Sequence, residues 1–237
     1  KVIPNNVTFG NDYLGIVVTG PNTGGKTVLL KTVGLLCGMV KYGLLIPADS
    51  DSNVMIYDQI FCDIGDDQSI ESNLSTFSSH MQNITKIIDS VTPNSLVLFD
   101  EIGSGTDPIE GSNLAKSILK YLIEHNVSFI TTTHYSQLKA FAFDEPKIVN
   151  ASMEFDQNTL SPTYHLLLGV SGSSNAFNIA KKLGLKEEII KNAKKITITS
   201  DDDIRKLIFK LEKQSKEVEA RNIELKQALA SVNNEKR

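Results

Sequence analysis

Residues 14–27 read LGIVVTGPNTGGKT, a strand, a glycine-rich loop and a helix start in succession. Leu14–Thr19 is a short apolar run rich in β-branched residues and stopped by glycine, the pattern of a buried strand. Gly20 to Thr27 satisfies G-x-x-x-x-G-K-[ST]. A helix is expected from about Gly25 to Tyr42, because Val28, Leu29, Val33, Leu36 and Val40 recur near helical spacing. A glycine-rich loop between a strand and a helix turns consecutive backbone N–H groups inward around phosphate oxygens, and the helix N-terminus adds its positive dipole end. Gly20, Pro21, Asn22, Thr23, Gly24 and Gly25 are therefore the candidate phosphate cradle. Lys26 would reach the β- and γ-phosphates, and the Thr27 hydroxyl would ligate magnesium.

Working outward, Val54–Tyr57 and Ile60–Asp63 read as short strands, and Leu74–Ile88 as a helix stopped before Pro93. Ser95–Asp100 and Val127–Thr133 are further buried strands separated by a helix at about Glu110–His125, and Ile148–Phe155 with Pro162–Leu168 suggests a hairpin. Strands alternating with helices predict an α/β fold, a mixed but mostly parallel sheet flanked by helices.

A phosphate loop alone binds a nucleotide; hydrolysis needs further groups. The strand Leu96–Phe99 ends in Asp100-Glu101. That places two carboxylates at the sheet edge: Asp100 to hold magnesium, Glu101 to orient and deprotonate an attacking water. The strand ending in Thr131-Thr-Thr leaves His134 at the same edge as a candidate γ-phosphate contact. Gln68 sits in a polar loop and is a candidate sensor of metal or water. Ser75 and Thr76 open the Leu74–Ile88 helix, and a hydroxyl-rich helix start is suited to an anion. Asp107-Pro108 is expected to cap the helix that follows.

The chain has 237 residues, 41% hydrophobic and 22% charged, which fits a globular protein with a substantial core. A net charge of −4 argues against a broad nucleic-acid surface on this stretch. The two isolated cysteines, Cys37 and Cys62, suit a reducing compartment, so a cytoplasmic location is expected. No apolar run approaches the about 20 residues that span a bilayer, and no membrane partner is expected. Residues 1–168 form the expected catalytic core. Within 169–200, a small-residue hinge (Gly169 to Asn175) precedes short helices at Ala176–Lys182 and Lys186–Lys195. Residues 201–237 carry Ile204, Leu211, Val218, Leu225 and Val232 at seven-residue steps, with a half-polar second seam, as in an imperfect coiled coil. The charged, helical end reads as the start of a connector within a longer protein.

The order of phosphate loop, Gln68 loop, hydroxyl-rich helix start, acidic strand and histidine resembles that of P-loop ATPases of the ATP-binding-cassette type. More narrowly, TGPNTGGKT, STF, DEIGSGT and TTTHY resemble the four nucleotide motifs of the MutS family. The segment GVSGSSNAFNIAKKLGLKEEIIKNAKKI, 169–196, is similar to that family's helix–turn–helix dimer clamp. DIGDDQSIESNLSTFSSHM and GTDPIEG look like its bacterial MutS-two branch, in which Ser79-His80 stand where mismatch-repair members carry an acidic residue. The resemblance implies a homodimeric, magnesium-dependent ATPase. Lys26, Glu101 and His134 would be catalytic, Thr27 and Asp100 would hold the metal, and Ser75 and Thr76 would close over the partner subunit's ATP. Val2, Ile3 and Asn5 would lie beside adenine. It also implies action on branched DNA or stalled ribosomes through domains this stretch lacks, and no nuclease activity of its own. A scaffold that ATP assembles and hydrolysis only resets is the alternative.

Overall fold

The structure is a computed structural model, and it describes residues 2–10, 12–21, 24–65, 76–156, 159, 161–172 and 176–200. Two compact units are distinguished, the described residues of 1–168 with 172–174 and those of 169–171 with 175–237.

The first unit is built on six strands: β1 (Gly15–Thr19), β2 (Gln59–Asp63), β3 (Ser95–Phe99), β4 (Ser128–Thr132), β5 (Ile148–Asp156) and β6 (Ser161–Leu168). They form one sheet in the order β2-β3-β4-β1-β5-β6, parallel throughout except for the antiparallel β5–β6 hairpin. The helices are α1 (Lys26–Lys41), α2 (Thr76–Ser90), α3 (Pro108–Glu124) and α4 (Ser136–Asp144).

Successive strand side chains point to opposite faces, so one apolar strand feeds two cores. Ile16, Val18, Leu96, Leu98 and Ile130 pack with Leu29, Leu30, Val33 and Cys37 of α1. Val17, Val97, Phe99 and Phe129 face the other way, against Ile84 and Ile87 of α2, Leu119 and Leu122 of α3 and Leu138 of α4. The first unit is thus a three-layer α/β unit, as the alternating pattern predicts. All five residues of β1, of β3 and of β4 are buried, which explains their unbroken apolar and hydroxyl runs.

Two local expectations differ. Val54–Tyr57 is not a strand. Only Tyr57 is buried there, while Met55 and Ile56 are 49% and 66% exposed. The segment is tied to the turn before β3 by the side chain of Asn94, which donates to the Ile56 carbonyl, and by the Asp58 N–H to Asn94 O. Conversely, α4 lies where no helix was expected. It is nine residues long, lacks a side-chain cap and buries only Leu138 and Ala142, too little periodicity to register in the sequence. The Asp107-Pro108 step does cap: Asp107 accepts from Ile109 N–H and Glu110 N–H, with proline in the first turn of α3.

The second unit contains α5 (Ala176–Lys182) and α6 (Glu187–Ser200). The end of α5 is closed by Gly184 in the left-handed region (φ 87°), with Leu185 N–H bonded to Ala180 O and Gly184 N–H to Lys181 O. Without a Cβ, glycine adopts this turn at little cost. The seven-residue pattern from Ile204 onward lies outside the described residues.

Candidate nucleotide site

Because β1 to β4 run parallel, their C-terminal ends open at one edge of the sheet, and the candidates Lys26, Thr27, Asp100, Glu101 and His134 follow those ends. After β1 the chain turns at Pro21, whose carbonyl accepts the Gly24 N–H at 2.9 Å. Gly25 takes a left-handed conformation (φ 91°) and starts α1 without any side-chain cap. The contrast with the Asp107-capped α3 is informative. A helix start that carries no side-chain cap suits an anion, which is what a phosphate cradle requires. Lys26 is 2% exposed, and its Nζ folds back to donate to Gly20 O at 2.7 Å. Burial pushes the Lys26 ammonium below its ordinary range, while first Glu101 and then Asp100 pull it back up.

Thr27 Oγ1 donates to Asp100 Oδ2 at 2.6 Å, joining the first turn of α1 to the end of β3. These are hard oxygen donors with one negative charge, the set that suits Mg²⁺ beside a phosphate. The residues present therefore fit the cofactor. On its other oxygen, Asp100 accepts from Thr132 Oγ1 at 2.5 Å, and the same Thr132 oxygen accepts the Glu101 N–H at 2.8 Å. One β4 hydroxyl thus holds both members of the acidic pair. Thr132 escaped the sequence reading because nothing local says that β4 lies between β1 and β3; the hydroxyl run Thr131-Thr-Thr was its only trace.

Glu101 has φ 48°, one of three described non-glycine residues with positive φ. Such a conformation costs about 1–3 kcal/mol and persists where surrounding contacts impose it. The contacts are visible: Thr132 holds the Glu101 N–H, and buried Tyr135 donates its hydroxyl to Gly103 O at 2.9 Å, pinning the loop that follows. Burial, then Glu101 and Asp107, push the Tyr135 phenol above its ordinary range.

His134 follows β4 at the same edge, exposed, with its ring 4.5 Å from that of Tyr135. Thr76 is the first residue of α2, and Asn22, Thr23, Gln68 and Ser75 lie outside the described residues. Of the adenine-side candidates, Val2 is 91% exposed and Ile3 half-buried. Asn5 spends its amide on β6, donating to Tyr164 O at 3.0 Å and accepting Leu166 N–H at 2.6 Å. It fastens the N-terminal segment beside the hairpin. Tyr164 was missed: it has φ 63°, is 48% exposed, and a Cβ on Gly25 would come within 3.0 Å of its ring. An aromatic ring is thereby set against the phosphate loop, a placement that only the folded hairpin creates.

The family model described as MutS domain V matches residues 16–200. Among curated relatives, the chain is 52% identical over 235 residues to "Endonuclease MutS2" of Finegoldia magna, covering 98% of this chain and 30% of that protein. It is 53% identical over 208 residues to the protein of that name from Lactobacillus acidophilus (88% and 26%), and 54% identical over 215 residues to that of Brevibacillus brevis (91% and 27%). The chain spans less than a third of the length of these relatives. With the glycine loop, the paired carboxylates and the hydroxyl-rich β4 on one sheet edge, and with the matched region running from β1 to the end of α6, the chain belongs to the MutS family, in its MutS2 branch.

Proposed function

We propose that the chain is the ATP-hydrolysing core of a MutS2-type protein, a P-loop ATPase of the ATP-binding-cassette type. MutS domain V belongs to a family of ATP-using proteins, and the Thr27–Asp100 hydrogen bond is the observation that carries the reading. It aligns the two oxygen ligands expected of Mg²⁺ next to an uncapped helix start and a buried lysine. Bound Mg²⁺ supplies charge neutralisation at the β- and γ-phosphates. The backbone of Gly20 to Gly25, with Pro21, Asn22 and Thr23, cradles the phosphates. Lys26 and His134 stabilise charge on the γ-phosphate, and Glu101 orients the attacking water and accepts its proton. Tyr164, rather than Asn5, offers adenine a face to stack on.

In this reading, Ser75 and Thr76 complete the site of a second copy, Gln68 senses the metal, and α5–α6 act as a helix–turn–helix that clamps the dimer. Residues 201–237 lead towards the parts of the protein that engage DNA or ribosomes in the cytoplasm. The endonuclease in the relatives' name belongs to the length this chain does not span. Among the described residues, no helix is long and apolar enough to cross a membrane.

Glu101→Gln is the test. It should bind Mg-ATP, hydrolyse it at least about 100-fold more slowly, and sediment as an ATP-dependent dimer. Ordinary turnover in this variant sinks the base assignment. A wild type whose slow turnover stays flat with added ribosomes or branched DNA, while its binding to them depends on ATP, favours the switch reading.

A further inference from the structure

Asp63, the last residue of β2, is buried at 7% exposure and lies outside the nucleotide motifs. Its carboxylate is engaged on both oxygens by α2. His80 Nδ1 is 2.8 Å from Oδ2, and Asn83 Nδ2 donates to Oδ1 at 2.9 Å while also reaching Cys62 O at 3.2 Å. A carboxylate accepts, which puts the ring proton on Nδ1 of His80. His80 and Asn83 are three residues apart and share one face of α2, so the helix grips β2 at two adjacent points. The Asp63 carbonyl, in turn, accepts the backbone N–H of Asp100 at 2.9 Å. A continuous chain of bonds thus runs from the first turns of α2, through Asp63, to the backbone of Asp100, the residue assigned to the metal.

We propose that Asp63, His80 and Asn83 form a clasp of positioning residues that sets Asp100 for metal binding and ties its placement to that of α2. The proposal rests on the ATPase reading of the site and extends it. Among the described residues, none of the hydrogen bonds of the three reaches the Lys26 loop, so the clasp acts on the metal side of the site and not on phosphate binding. A plain helix–strand fastener would change stability alone.

The experiment compares the wild-type chain with His80→Ala, Asp63→Asn and the exchange Asp63→His/His80→Asp. Turnover is followed against magnesium concentration, ATP affinity is measured in EDTA, and melting temperature is recorded. Expected is a roughly tenfold fall in kcat for His80→Ala, with a roughly tenfold higher magnesium requirement and metal-free ATP affinity within about twofold. The exchange should recover at least part of the magnesium response. Magnesium dependence unchanged in both single variants overturns the clasp, as does loss of metal-free ATP affinity in step with kcat and melting temperature. A wild type without magnesium-dependent turnover instead overturns the ATPase reading, and the clasp with it.

Discussion

Thr27 Oγ1 and Asp100 Oδ2 lie 2.6 Å apart, 73 residues distant in sequence, and this bond links the phosphate loop to the acidic strand end. A cation that displaces the hydroxyl proton's interaction would inherit both oxygens as ligands. Asp100→Asn should therefore weaken magnesium-dependent turnover by at least about 10- to 100-fold, the loss seen when even an outer partner of a metal ligand is removed. ATP binding in EDTA should be retained. Nucleotide titration with and without magnesium, beside phosphate release, reads both outcomes.

Thr132 serves Asp100 and Glu101 at once, and it is fully buried. Thr132→Val keeps the shape of the side chain but strands the Glu101 N–H and frees Asp100. Stability should fall by about 1–3 kcal/mol from the unpaired donor. Turnover should drop about 10- to 100-fold through misplacement of both carboxylates. Thr132→Ser, which restores the hydroxyl, should recover most of each; chemical denaturation and steady-state kinetics check the pair.

Glu101 holds a left-handed backbone conformation in which glycine rests without strain. Glu101→Gly should raise stability by about 1 kcal/mol while abolishing hydrolysis, whereas Glu101→Gln should lower hydrolysis with stability nearly unchanged. If melting curves show Glu101→Gly to be destabilised, the strain argument fails, whatever happens to turnover.

Burial pushes the Cys37 thiol above its ordinary range, on the face of the sheet that α1 covers. The unfolded thiol ionises near about pH 8.5, whereas the folded one keeps its proton to higher pH. Between those two values the native state binds more protons than the unfolded state. The Cys37 contribution is therefore complete below about pH 8.5 and is lost as pH rises through the folded value. Cys37→Ala should show a shallower alkaline decline, so its gap to the wild type narrows between about pH 8 and pH 10 in denaturation curves.

Much of this chain is legible locally because certain backbone demands admit few residues. A strand, a glycine loop and a helix start must follow one another within 14–27, and buried parallel strands need the apolar runs around Val97 and Phe129. Asp100 and Glu101 were equally plain, being charges at the end of a buried run. The apolar Val54–Tyr57 misled because its residues carry strand propensity but the sheet has no ladder for them. Helix α4 stayed hidden because its helicity is imposed by packing of Leu138 and Ala142 onto the sheet rather than by its own pattern.

By itself, the sequence determined most of the element types, the strand, glycine loop and helix order at 14–27 and which carboxylates end the acidic strand, since each depends on residues adjacent in the chain. Only the tertiary structure decided that β4 stands between β1 and β3, which makes Thr132 the shared support of Asp100 and Glu101. It alone set Tyr164 against Gly25, forced Glu101 to positive φ and gave His80 a partner in Asp63. The reason is physical: strand order and side-chain meetings across the sheet are fixed by burying two apolar faces at once, a condition on the whole chain that no single segment encodes.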